Sequence, residues 1–175
     1  MDRISSDLQK VKLWLSIHRG HGWSEGDNGM RLAMFGQLKL WAEDHFDISK
    51  WYPEGNQPAV FGDDRGWNMY KLAHRKARGD LVGDELNGNK GINYCSAKDT
   101  GLSQGDLLMS CLSYLSNYDL SDYFRQWNPS ESKADLPDGS ADYSGGLTDK
   151  GFSAVARMGL KKPEKSPLDY TSISG

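Results

Sequence analysis

The chain has 175 residues, a mass of 19.5 kDa and a net charge of −3, the size of one ordinary domain. Leu, Ile, Val and Phe make up just under a fifth of it, close to a disordered composition, but the small net charge and the six Trp, eight Tyr and six Met supply a core. Val, Ile and Thr number only twelve, which argues against a sandwich, a barrel or a parallel sheet, and a pI near 5.8 removes any global argument for nucleic acid as a partner.

The opening residues, MDRISSDLQK, lack the apolar stretch of a signal peptide, and no later run approaches the roughly 20 apolar residues of a membrane helix. Ser6 with Gln9 three residues on forms a capping box. Leu8, Val11, Trp14 and Leu15 follow at helical spacing, and the glycines after His18 end this first helix by about Gly20. A second helix is predicted over MRLAMFGQLKLWAEDHF, capped by Asp27 or Asn28, with Met34, Phe35, Leu38, Trp41 and Ala42 forming a broad buried stripe.

Pro53 and Pro58 then interrupt regular structure in a polar loop. A third helix is expected from about Arg65 to Arg78, capped by Asp63 or Asp64. Residues 79–101, rich in Gly and Asn, read as a long irregular connection of the kind that is functional or packed on a neighbour. The fourth helix is expected to start at Ser103, with Asp106 as an imperfect capping-box partner and Leu108, Cys111, Leu112 and Leu115 on one face. A fifth begins at Asp119 with Leu120, Tyr123, Phe124 and Trp127 at core spacing. Residues 128–147 are polar, and a short last helix spans Thr148 to Met158. The expected architecture is mainly α: a bundle of about five helices with long irregular loops, a helical domain over residues 1–160 and an extended tail over 161–175.

Catalytic signatures are sparse. His18 and His21 form H-x-x-H near Glu25 and Asp27, but zinc hydrolysis of the HExxH kind needs i, i+4 histidines and a Glu between them. No catalytic or metal-binding residue is therefore assigned, and no cofactor is expected within this chain. There is no nucleophile elbow, P-loop or dinucleotide fingerprint. Asp135, Asp138 and Asp142 offer oxygen ligands without an EF-hand's pattern or closing Glu, so a solvated loop is the better reading. Cys95 and Cys111 have no CxxC partner; they are a disulfide in an oxidising compartment and two thiols in the cytosol.

Two groups of residues suit ligand binding. Lys71, Arg75 and Arg78 make a basic stripe that suits an anionic group, or simply a solvent face near a helix C-terminus. Trp51, Tyr52 and Trp67 lie in or beside a polar loop; they suit sugar or peptide ligands, or cap a core poor in aliphatics. The candidate substrate-binding set is thus Trp51, Tyr52, Trp67, Lys71 and Arg75.

Two blocks carry a family resemblance. Arg31, Leu32, Met34, Gln37 and Leu38 fit the form RLxMxxQL, and Asp119, Leu120, Ser121, Tyr123, Phe124 and Trp127 fit DLSxFFxxW with Tyr for the first aromatic. With the Pro-containing close VARMGLKKPEKSPLDYTSI, residues 25–170 resemble the C-terminal half of the enhancin-like zinc metallopeptidases. That family includes mucin-degrading, surface-associated lipoproteins of the accessory colonization factor (AcfD) type. The resemblance implies a gluzincin-like C-terminal subdomain whose zinc ligands lie outside this chain. It also implies a secreted or cell-surface setting, the rest of a parent polypeptide as partner and a mucin or glycoprotein substrate. The secreted setting favours the bonded form of Cys95 and Cys111. The alternative is a non-catalytic helical module that binds carbohydrate or a protein partner.

Overall fold

The computed structural model describes residues 28–52, 55–83, 92–102, 104–127, 134–135, 141–142 and 147–170. The predicted first helix, His18 and His21 lie outside the described residues. Six α-helices follow in chain order: α1 (Asn28–His45), α2 (Arg65–Ala77), α3 (Ala97–Thr100), α4 (Gln104–Ser116), α5 (Ser121–Trp127) and α6 (Asp149–Arg157). One-turn 3-10 helices at Ile48–Lys50 and Pro167–Asp169 complete the helical inventory. None of these helices is long and apolar enough to cross a membrane.

The mainly helical reading holds, and the core-facing stripes fall where periodicity placed them. Met34, Leu38, Trp41 and Ala42 of α1 are buried, as are Cys111, Leu112 and Leu115 of α4 and Tyr123 and Phe124 of α5. Phe35 is only half-buried, its ring edge-on to Tyr70 of α2 at 5.7 Å. Leu108 packs on the rim of the core, and the side chain of Trp127 lies outside the description. The second aromatic motif is anchored by Tyr123, whose hydroxyl donates to the Met34 carbonyl at 2.8 Å across 89 residues of chain.

Three local readings change. Asp106 of α4 turns its carboxylate to the backbone N–H and hydroxyl of Thr148, which in turn caps α6. This ties α4 to α6 at a point where Gly151 has no room for a Cβ beside the Asp106 carboxylate. α5 starts two residues later than expected because Asp119 uses its carboxylate to accept from the Ser121 N–H. Residues 128–147 contain a two-residue antiparallel pair, with Ala134 opposite Asp142 and Asp135 opposite Ala141. No alternating run of β-branched residues announces it in the sequence.

The segment after α6 lies along α1. The Trp41 indole donates to the Lys165 carbonyl and the Gln37 amide to that of Leu168, both at 3.2 Å. The Tyr170 hydroxyl donates to Asp44 at 3.1 Å, and Pro167 is buried. Asp119 donates its N–H to the Lys161 carbonyl, so the same segment also ties down the start of α5.

Candidate functional site

The aromatic loop residues part company. Trp51 and Tyr52 are only 2% and 4% exposed, whereas Trp67 is 47% exposed. Of the two readings open for these rings, Trp51 and Tyr52 cap the core, while Trp67 lies at the surface. The physical reason is the shortage of aliphatics: the loop after α1 folds inward and its rings fill the space between α2 and α4. The Trp51 indole donates to the Leu115 carbonyl at 3.3 Å and meets Tyr114 edge-on at 5.1 Å. Lys76, fully buried, places its ammonium 5.0 Å from the Trp51 ring and donates to the Val82 carbonyl.

Within the basic stripe, Arg75 is committed elsewhere. The Arg75 guanidinium pairs with Asp80 at 2.9 Å and donates to the Tyr52 hydroxyl at 3.2 Å, while that hydroxyl donates to Asp80. Burial pushes the Asp80 carboxyl up, but the Val82 N–H, Tyr52 and Arg75 outweigh it and hold it below the usual carboxylate value. Burial, reinforced by the Asp80 charge, pushes the Tyr52 phenol up. Arg75 thus works as a brace between loop and helix. Lys71 is half-buried on the same helix, and Arg78 ends it with a backbone cap.

Around Trp67 the picture is different. Asp64 caps α2 by accepting from the Trp67 N–H at 3.2 Å, which fixes the backbone under the indole. The Lys39 ammonium of α1 bonds Glu43 and lies 3.3 Å from Asp64 and 6.0 Å from the centre of the Trp67 ring. Burial lowers the Lys39 pKa, but its bonds to Glu43 and Asp64 carry it above the ordinary lysine value. Gly66 sits so close to the Lys39 carbonyl that a Cβ would overlap it, so the two helices meet at van der Waals distance beside the indole. The Tyr70 ring lies 5.8 Å from the indole, tilted 49° to it, and its hydroxyl donates to the Phe35 carbonyl at 2.8 Å. Sequence reasoning found Trp67 but missed Lys39, Glu43 and Asp64 as its neighbours. The i, i+4 spacing of Lys39 and Glu43 was legible; the arrival of Asp64 from another helix was not.

Cys95 and Cys111 are joined as a disulfide that pins the segment before α3 to the middle of α4. Asn93, two residues before the bridge, donates to the Lys76 carbonyl at 2.6 Å and so holds the C-terminus of α2.

The described residues do not fit a zinc site. No group of three or more His, Cys, Asp or Glu side chains among them could hold a metal ion. Both cysteines are bonded to each other, His74 is exposed, and the His45 ring stacks on Trp41 with its Nδ1 2.8 Å from the Trp41 carbonyl.

In comparison with known proteins, the chain matches one segment of much larger ones. It is 40% identical over 99% of its length to YghJ of Escherichia coli O78:H11, which is named as a lipoprotein. The AcfD homologue of Escherichia coli K12 matches at the same identity and coverage, and accessory colonization factor AcfD of Vibrio cholerae matches at 38% identity over 99% of the chain. The chain spans only 11–12% of the length of these relatives. No family model matches the chain, and no solved structure does.

Proposed function

Because the chain is homologous along 99% of its length to one segment of the AcfD and YghJ proteins, we propose that it is the C-terminal helical subdomain of an enhancin-like zinc metallopeptidase of the cell surface, acting on mucin or other glycoproteins. The observation that carries this reading is the combination of near-complete coverage of this chain with a small share of each relative. One module of a large polypeptide repeats here, and the rest of that polypeptide is its first partner. On this reading zinc and its ligands belong to the remainder of the parent polypeptide. The lipoprotein names of two relatives support a place in the cell envelope. Division into a helical domain over residues 1–160 and a tail over 161–175 goes with this reading, residues 165–170 of the tail being bonded along α1.

The test compares the full-length parent, the parent lacking this segment, and this chain alone. The intact parent should retain zinc after dialysis and cleave mucin in a chelator-sensitive way, and deletion of the segment should impair that cleavage. A zinc-free parent with no hydrolytic activity would overturn the peptidase reading. It would leave the second reading, a non-catalytic module that binds carbohydrate, which the exposed Trp67 favours.

A further inference from the structure

We propose that Leu81, Val82 and Ile92, gathered beyond the C-terminal end of α2, form the surface on which an apolar segment of the parent polypeptide docks. The inference rests on the reading above only in that this chain is one segment of a larger polypeptide; it uses neither zinc nor peptidase activity.

Five large hydrophobic side chains are exposed among the described residues. Val60 and Trp67 belong to the loop before α2 and to its first turn. The other three come together at its far end: Leu81 is 59% exposed, Val82 47% and Ile92 43%. They arrive on two stretches of chain that converge on one residue. The buried Lys76 donates through its ammonium to the Val82 carbonyl, and its own carbonyl accepts from the Asn93 amide at 2.6 Å, next to Ile92. The two stretches are thus held within the reach of a single lysine side chain.

Each stretch is fixed a second time. The Val82 N–H donates at 3.0 Å to Asp80, whose carboxylate is itself paired with Arg75. Gly83, at φ +87°, lies so close to the Trp51 carbonyl that a Cβ would overlap it. On the other stretch, the Asn93 N–H donates to Asp99 at 3.2 Å, and Cys95 is bonded to Cys111 of α4. The surface is therefore built in advance, and little conformational freedom is lost when it is covered. In a chain so poor in aliphatics that aromatic rings fill its core, three aliphatic side chains anchored in water together mark a contact surface.

Size argues for the occupant. Three apolar side chains fall well short of the roughly 20–30 residues a side of a stable interface between free proteins. A partner on the same polypeptide needs less, because its tether holds it at an effective concentration of about millimolar. In the relatives the segment that matches this chain is only 11–12% of the whole, so such a partner is covalently at hand.

The test compares amide hydrogen exchange in the full-length parent and in this chain alone. The amides of residues 80–83 and 92–94 should exchange about tenfold more slowly or better in the parent. Leu81→Ser combined with Ile92→Ser should abolish that difference in the parent. The same pair should leave the thermal transition of the chain alone in place, since both side chains already face water there. Equal exchange in the parent and the chain would overturn the proposal. So would a double variant that lowers the transition of the chain alone, because the surface would then be covered from within the chain. A concentration-dependent dimer of the chain that Leu81→Ser abolishes would also overturn it and assign the surface to a second copy. Loss of zinc or of hydrolysis in the parent alters none of these readouts, so the two readings fail separately.

Discussion

At the scale of single residues, identical side chains take opposite roles because of what lies beneath them. Trp51 follows a one-turn helix that drops it onto α4, whereas Trp67 sits on the first turn of α2 with its backbone held by Asp64. Neither outcome is legible in the composition of the surrounding loop. Arg75 shows the same lesson for charge: spaced on a stripe with Lys71 and Arg78, it is nevertheless consumed by Asp80 and Tyr52. Asp80 gives a testable consequence. Its carboxyl is held below its unfolded value of about 3.8, so its contribution to stability is complete above that pH and is lost as pH falls through the lower, folded value. Asp80→Asn should therefore destabilise the chain at neutral pH, and the gap from the native chain should close on acidification. Denaturant titrations at a series of pH values would show it; a gap that stays constant down to the acid transition would contradict the assigned brace.

At the scale of elements, the helices were readable and their ends were not. Asp64 caps α2 as local sequence suggested and Thr148 turns out to cap α6, but Asp106 and Asp119 satisfy backbone groups that the chain brings to them from elsewhere or from a different register. The irregular connection before α4 owes its order to the Cys95–Cys111 bridge and to Asn93, which links it to the end of α2. A cross-link closing a loop of this length stabilises by about 3 kcal/mol through the unfolded chain. Replacing both cysteines by Ala should lower the unfolding free energy by about that amount, measured by urea titration without reductant. Since Asn93 braces α2, the amide protection of residues near Lys76 should fall with it. A loss below about 0.5 kcal/mol would mean that the loop is held by its hydrogen bonds alone.

At the scale of the whole molecule, one core joins α1, α2, α4 and α5, with α6 and the segment 161–170 closed over it. Tyr123 reaches Met34 and Trp41 reaches the Lys165 carbonyl across long stretches of chain, so these parts should unfold together. The chain alone is expected to show a single cooperative thermal transition. EDTA should leave that transition in place, because the described residues hold no metal cluster to be emptied. Stoichiometric zinc after dialysis, or a melting temperature that drops with chelator, would instead direct attention to His18 and His21.

Two kinds of information divide this protein between them. Periodicity, caps and the scarcity of β-branched residues determined by themselves that the fold is helical and which stripes face inward, because burial of an apolar face is decided within a few turns of one helix. The two motif blocks, RLxMxxQL and DLSxFFxxW, likewise sufficed to place the chain beside the AcfD proteins. The candidate site was decided only by tertiary structure. It depends on Lys39 and Asp64 meeting across two helices, on Gly66 letting those helices touch, and on the loop carrying Trp51 and Tyr52 inward while Trp67 stays out. Such contacts join residues whose spacing along the chain has no period, so only the packed molecule can bring them together.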